Sequence, residues 1–347
     1  MYEVLKSILV EEIQVPESDV RPDIDLREAG LDSLAMVELS MALNKRLDID
    51  ITDDELTGAT TVADIVRLME ERDRRPDLGH ARAKSKVIMS GNDHRSMARA
   101  LYTARATRVP IAPLTDENPW MDMADGYAVQ RELTGMLSGD GEEIIGYKAG
   151  LTSAPMQRQF GVDTPDYGPV LASTLHADGD LVPREAFIAP KVEAEIVFRL
   201  GRRLMGPGVT VEEARSAITE VMAGLEIVDS RIKDWRIRLP DTIADLASNA
   251  AVVLGEKSVP YASVDPRLIG MVFSRNGDMV ATSAGAAALG DPVAVVAWLA
   301  NTLGAQGVAL EAGHVIMTGA LHAAVTMEHG DTFHAEFDHL GSITIRT

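Results

Sequence analysis

The 347-residue sequence contains no cysteine. A disulfide framework, a thiolate nucleophile and a thiolate metal site are therefore excluded, and nothing in the residues argues for secretion. Aromatic residues are scarce, at 4%, and no stretch reads as an acyl tunnel. Basic residues are in the minority: 33 Lys and Arg stand against 53 Asp and Glu, a net charge of −20. Such a surface repels phosphate backbones and anionic headgroups, so neither nucleic acid nor membrane is expected as a partner. No apolar run of membrane-spanning length is apparent, and the start Met1-Tyr2-Glu3-Val4-Leu5 is not that of a signal peptide. A Gly-x-Ser-x-Gly elbow is missing too, which argues against a serine thioesterase, and Gly285 to Gly290 fits no phosphate or dinucleotide loop. The sequence reads as a cytoplasmic globular protein, 46% hydrophobic and 25% charged, long enough for two domains.

The charge is unevenly spread. Residues 1–71 carry 18 acids and 6 basic residues, 72–99 carry 3 and 8, and the remainder carries 32 and 19. A basic stretch with Pro76, Gly79 and Gly91 between two acidic blocks reads as a linker. The expected organisation is a first domain over 1–72, a linker over 73–94 and a second domain over 95–347.

The first block predicts four short helices. Residues 2–14 place Val4, Leu5, Ile8, Leu9 and Ile13 at helical spacing; 33–47, a turn near 53–57 and 61–71 follow. At the start of the second helix stands Gly30-Leu31-Asp32-Ser33-Leu34, a serine whose hydroxyl stays outside while the following turns bury one face. With Val37-Glu38-Leu39 and the acidity of the block, this resembles an acyl carrier protein domain. The resemblance implies a four-helix bundle with a 4′-phosphopantetheine arm on Ser33. It also implies a phosphopantetheinyl transferase as partner, and other biosynthetic enzymes docking on the acidic carrier.

In the second block, residues 192–196 alternate, so Glu193 and Glu195 project from one strand face while Val192, Ala194 and Ile196 project from the other. Glu226 lies in a second apolar strand, Gly224-Leu-Glu-Ile-Val-Asp-Ser230. Three hard oxygen ligands suit Mg²⁺ or Mn²⁺; without a cation they would repel and raise one another's pKa. Upstream, Lys148 sits among glycines in Gly146-Tyr-Lys-Ala-Gly150, and Asp166 in Asp163-Thr-Pro-Asp-Tyr-Gly168. Downstream come Asp229-Ser-Arg231, Asp234-Trp-Arg236 and Leu239-Pro-Asp-Thr-Ile-Ala-Asp245. In this order the motifs resemble the 2-hydroxypenta-2,4-dienoate hydratases and 4-oxalocrotonate decarboxylases of the fumarylacetoacetate hydrolase superfamily, from about 95 to 347.

The resemblance implies that Glu193, Glu195 and Glu226 bind the metal, that Lys148 is the active-site lysine and that Asp166 lies near the substrate. It implies a metal that chelates a 2-oxo acid and stabilises its enolate, with Lys148 transferring a proton at a pKa lowered by the cation. Thr152, Ser153, Ser248 and Asn249 are weaker candidates for substrate hydrogen bonds. The late histidines (His314, His322, His329, His334, His339) fit no zinc spacing and read as core or solvated residues.

Helices are expected at about 95–107, 122–138, 210–223 and 290–304. A hairpin is expected around Asn276-Gly277, and short strands at 314–319, 332–337 and 342–346. The expected fold class is α+β: a four-helix carrier, then a mixed, β-barrel-like core with peripheral helices, assembled as a homo-oligomer. The expected function is a metal-dependent lyase, hydratase or decarboxylase, acting on a 2-oxo acid or a carrier-tethered 3-oxoacyl thioester in a polyketide-like pathway. The alternatives are a carrier or docking protein with a structural second domain, and a C–C bond hydrolase.

Overall fold

In the computed structural model the described residues are 1–11, 13, 15–16, 20–22, 24–26, 39, 43, 51, 56, 59–73, 89–153, 157, 162 and 164–347. They belong to two compact units, Met1–Val87 and Ile88–Thr347, each considered by itself.

In the first unit, helix α1 (Tyr2–Glu11) buries Leu5, Ile8 and Leu9. Helix α2 (Val62–Asp73) buries Val62, Ile65 and Met69 at the same three-to-four spacing. Thr61 and Asp64 start α2 together: the Asp64 carboxylate accepts from the Thr61 N–H and hydroxyl, and Thr61 Oγ1 accepts from the Asp64 N–H. Val15, Val20, Ile24, Leu26, Leu39, Leu43, Ile51 and Leu56 complete this core, each contributing roughly 1.5–3 kcal/mol if fully withdrawn from water. The described span of α1, Tyr2–Glu11, lies within the helix expected over 2–14. The motif from Gly30 to Leu34, with Ser33, lies outside the described residues. So do the expected helix at 33–47 and the turn at 53–57, apart from Leu39, Leu43 and Leu56.

The second unit opens with α3 (Gly91–Thr107), α4 (Leu114–Glu117) and α5 (Met123–Gly139). Capping boxes Ser90/Asp93 and Asp122/Asp125 satisfy the first free N–H groups of α3 and α5. The Ser90 box explains why the helix expected from about 95 begins at Gly91. Strands β1 (Ile144–Gly150), β2 (Asp166–Leu171), β3 (Leu175–Ala177) and β4 (Lys191–Leu200) lead to α6 (Val211–Ala217) and β5 (Ile218–Val228). Then come α7 (Leu239–Ala244), β6 (Asn249–Pro260), β7 (Gly270–Arg275), β8 (Asp278–Ala284) and α8 (Pro292–Gly304). The chain finishes with β9 (Val315–Met317), β10 (Val325–Thr326), β11 (Thr332–Phe337) and β12 (Gly341–Arg346).

The large sheet has the order β2-β1-β9-β4-β5-β6-β3, with β10 against β4; the small one has the order β12-β11-β7-β8. Among the described residues the large sheet is an open path of mixed parallel and antiparallel pairs, not a closed barrel. The helix expected over 210–223 is corrected: it stops at Ala217 and becomes β5. Thr210 caps a genuine helix start, but from Ile218 the chain pairs between β4 and β6, and ladder bonds on both sides outweigh helical propensity. The Asn276-Gly277 hairpin forms as expected, with both residues at positive φ.

One face of β4 and β5 carries Val192, Ala194, Ile196 and Phe198 against Val221, Ala223, Leu225 and Ile227. This face packs with Phe273, Phe333 and Ile345 of the small sheet and with α8 in a single core. Gly285–Gly304 is in fact long and apolar enough by composition to cross a membrane, contrary to the expectation. Yet Val293, Val295, Val296, Leu299 and Leu303 within it are core residues. The opposite face holds a smaller cluster of Val170, Val197, Met222, Val252, Val315 and Met317, and the acidic residues lie on this second face.

Candidate metal centre

Glu193 and Glu226 face each other directly in the antiparallel β4–β5 ladder, and Glu195 stands opposite Gly224. Strand period two puts Glu193 and Glu195 on one face, and register adds Glu226. The three offer carboxylate oxygens all within 4.8 Å of one another. The two buried members are each held by one oxygen. Glu195 Oε2 accepts the Gly319 N–H at 2.8 Å, and Glu226 Oε1 accepts Asn249 Nδ2–H at 2.9 Å. Glu195 Oε1 and Glu226 Oε2 are buried with no hydrogen-bond partner, as is Asp166 Oδ1. A buried, unsatisfied charged oxygen costs about 1–3 kcal/mol or more. Two such atoms converging with a third carboxylate are the donor set a hard divalent cation requires.

Lys148 reaches this cluster from β1. Its ammonium donates to the Ala247 carbonyl at 2.9 Å and lies 3.4 Å from Glu226 Oε1, with both side chains buried. Asp166, opposite Gly150 in the β1–β2 ladder, is its diagonal neighbour. A Cβ on Gly150 would land on Asp166 Oδ1 and 3.3 Å from Lys148 Nζ, so the missing side chain lets the acid and the amine share one space. The Ala247 carbonyl comes from three consecutive left-handed residues, Leu246, Ala247 and Ser248, with φ of 57°, 51° and 58°. Such backbone costs of order 1–3 kcal/mol per residue and persists only where its surroundings enforce it. Here the enforcing groups are the Asp229 N–H bonding the Ser248 carbonyl, the Ser248 and Thr242 hydroxyls in contact, and the buried Arg231–Asp245 pair.

The electrostatics follow from burial. Withdrawal from water raises Glu193 to about 7, with Glu226 adding repulsion. It raises Glu195 well above the usual carboxylate range, where Glu226 and Glu193 reinforce it. Asp166 is also raised by burial, against the pull of Lys148. Burial alone would lower Lys148, but Glu226, Asp166, Glu193 and Glu195 more than offset it and hold the amine above its ordinary value. With these acids alone around it, the amine is shifted upward; the expected lowering is that of the site with its cation bound.

Similarity to known proteins places this geometry. The family description "Fumarylacetoacetate (FAA) hydrolase C-terminal" matches residues 149–346, and "Phosphopantetheine attachment site" matches residues 3–69. The chain belongs to the fumarylacetoacetate hydrolase family. It is 41% identical over 255 residues to the 2-keto-4-pentenoate hydratase of Paraburkholderia xenovorans (strain LB400), covering 74% of this chain and 95% of that protein. To the 2-hydroxyhexa-2,4-dienoate hydratase of Comamonas testosteroni it is 39% identical over 253 residues, 72% of this chain and 96% of that one. The solved 4-oxalocrotonate decarboxylase from Pseudomonas putida G7, complexed with magnesium and adipate, superposes with a TM-score of 0.73. That pair is 35% identical, over 74% of this chain and 98% of the other. The second unit of this family member is therefore an enzyme of the metal-dependent hydratase and decarboxylase type, and the first is a phosphopantetheine-attachment domain.

Within the family fold, the structure brings Lys148, Asp166, Glu193, Glu195 and Glu226 together. Thr152 is buried against Gly319, which sits at φ 99°, and Gly319 in turn donates to Glu195. Ser248 lies in the left-handed turn, its hydroxyl on Thr242, and Ser153 belongs to the loop after β1. Asn249, a weaker candidate for a substrate hydrogen bond, donates to Glu226 Oε1. The Gly319 N–H and the Ala247 carbonyl were missed because main-chain groups leave no mark in residue type. The Arg231–Asp245 pair was visible only as part of a motif. Among the histidines, His322 accepts the Ala194 N–H and stacks on Phe273, a core role.

Proposed function

We propose that the second unit hydrates or decarboxylates a short 2-oxo acid by way of its enolate. In this reading Glu193, Glu195 and Glu226 hold one Mg²⁺ or Mn²⁺, and Lys148 and Asp166 move the protons. The single observation that carries it is the half-anchored carboxylate cluster beside Lys148. The unpartnered oxygens of Glu195 and Glu226 fit the cation, which when bound supplies a Lewis acid for the substrate's carboxylate and 2-oxygen. Lys148 brings its proton on Nζ to the oxygen that gains charge, to which it can donate, and the Ala247 carbonyl fixes its direction. Asp166, raised by burial, can hold a proton at Oδ1 within the same space and pass it to a substrate carbon or take one from water. Asn249 and the Gly319 N–H keep the carboxylates from turning away.

Hydratases and a decarboxylase are among the proteins this chain is similar to, and 2-keto-4-pentenoate and 4-oxalocrotonate are accordingly the substrates to test first. A second reading, a 3-oxoacyl thioester delivered on the Ser33 arm in a polyketide-like pathway, is favoured by the phosphopantetheine-attachment match. Such a thioester also presents two oxygens in a 1,3 arrangement. The test is turnover of 2-hydroxypenta-2,4-dienoate, 4-oxalocrotonate and 3-oxoacyl-carrier substrates by wild type, chelator-treated wild type, Glu195→Gln and Lys148→Ala. Loss of about 10²–10⁴ in rate is expected for Lys148→Ala with metal still bound, and Glu195→Gln should lose metal affinity. Full activity after chelation would sink the reading.

A further inference from the structure

Strand β4 carries Glu193 and Glu195, and its two flanks are not built alike. On the β5 side the ladder runs unbroken past both glutamates, from Lys191↔Val228 to Phe198↔Val221. On the other side β9 pairs only as far as Val197↔Met317, and β10 resumes at Val192↔Val325. Across that gap β4 advances five residues, 192 to 197, while the facing chain spends eight, 317 to 325. The surplus forms a bulge. Gly319 takes a φ of 99° and turns its N–H out of the ladder onto Glu195 Oε2.

Ala194, fully buried between the two glutamates, faces this gap with both of its main-chain groups. Its carbonyl accepts the Leu321 N–H at 3.0 Å, as in a ladder. Its N–H, however, donates to His322 Nε2 at 3.0 Å. An imidazole thus stands where a sheet would supply a carbonyl. The ring is held on three sides. Because Nε2 accepts, the proton sits on Nδ1, which donates to the Ala323 carbonyl at 2.7 Å. One ring face stacks on Phe273, with centroids 4.2 Å apart and 27° between the planes, and Phe273 stacks in turn on Phe333. Burial holds the imidazole below the usual histidine range, in keeping with a neutral ring.

A straight strand could satisfy Ala194 with a carbonyl, but it would carry the Gly319 N–H into the ladder and away from Glu195. The bulge frees that N–H, and His322 repairs the rung the bulge leaves open. On the reading above that the three glutamates hold the cation, we infer that His322 is a positioning residue for it. By closing the rung at Ala194 it keeps Glu193 and Glu195 in one fixed arrangement, and so sets the preference of the centre for Mg²⁺ over a larger ion. Mg²⁺ demands near-ideal octahedral geometry at about 2.0–2.1 Å, whereas Ca²⁺ accepts oxygens at about 2.3–2.6 Å with loose angles. With β4 anchored on one flank only, three carboxylates would remain for Ca²⁺, but no longer at the fixed spacing Mg²⁺ needs.

The experiment uses the full chain and measures calorimetric dissociation constants for Mg²⁺ and Ca²⁺, with metal-free melting alongside. The proteins are wild type, His322→Phe, His322→Asn and His322→Gln. Phe keeps a ring against Phe273 and removes the acceptor. Asn ends near the position of Nδ1, so it can still donate to Ala323 but cannot reach Ala194. Gln places an amide oxygen about where Nε2 lies. Mg²⁺ affinity is expected to fall about 10–100-fold in the Phe and Asn variants, the scale for a group that orients metal ligands. Ca²⁺ affinity should fall clearly less, and Gln should retain most of both. A role in the core alone lowers the melting temperature with the ratio of the two affinities unchanged, and that result overturns the inference. So does an equal loss of both ions, or a Gln variant no better than Asn. If His322→Phe does not fold, the smaller Asn variant decides the matter. If wild type binds neither ion, the reading of the glutamates is itself wrong and the inference falls with it.

Discussion

Glu195 and Glu226 are each fixed by one oxygen and left with the other unpartnered. Glu193 is raised to about 7 and Glu195 well above the usual carboxylate range, burial being the first cause in both. A cation must displace those protons, so its affinity should fall as pH drops below about 7, where Glu193 takes its proton back. Calorimetric Mg²⁺ titrations in buffers of different ionisation heat should show proton release on binding near pH 7, and none at pH 9 from Glu193. The sign for folding without metal runs the other way. A carboxyl whose folded pKa exceeds its unfolded value stabilises the fold at low pH and loses that contribution as pH rises through about 7. Melting of the metal-free protein should therefore decline between pH 6 and pH 8. Mg²⁺ at a hundred times its dissociation constant should restore about 2.7 kcal/mol at pH 8. A melting temperature that rises over that interval would contradict the buried, coupled cluster.

Among the elements, β1 and the turn after α7 do most to set the chemistry, and both depend on backbone more than on side-chain type. Gly150 leaves the space that Asp166 Oδ1 occupies next to Lys148. Gly150→Ala should keep the strand, since Ala suits an extended backbone, and should push the Asp166 carboxylate aside. We expect Mg²⁺ affinity within a few-fold of wild type and turnover lower by about 10²-fold, the scale of a misplaced catalytic group. Parallel calorimetry and rate measurements check this, and an equally active variant would remove Asp166 from the mechanism. The alternation at 192–196, the Asn276-Gly277 hairpin and the helix over 122–138 were all legible in the sequence, because period and turn chemistry are local. The strand from Ile218 was not. A capped helix start at Thr210 and a run of helix-compatible residues hid it, and only pairing with β4 and β6 revealed it.

For the whole molecule, the first 71 residues concentrate 18 acids against 6 basic groups, ahead of a family enzyme that in its hydratase relatives accounts for 95–96% of the protein's length. We expect Ser33 to be modified: co-expression with a phosphopantetheinyl transferase should add the mass of one arm to the intact protein. Ser33→Ala should abolish the increase without changing the turnover of free 2-oxo acids. Wild-type protein of unchanged mass with several transferases would reduce the first unit to an unmodified acidic domain.

The sequence alone determined that a carrier-like block precedes an enzyme, and it singled out three glutamates and one lysine as candidates for its chemistry. Residue type, strand period and motif order are enough for that. Only the tertiary structure decided how those groups meet. Glu226 faces Glu193 through β4–β5 register, Lys148 reaches Glu226 from β1 across the intervening β9 and β4, and Asp166 shares its space through the absence of a side chain at Gly150. Main-chain groups at Ala247 and Gly319 finish the site. The reason is physical: register, close approach and a carbonyl's direction belong to long-range pairing, and no single residue's identity encodes them.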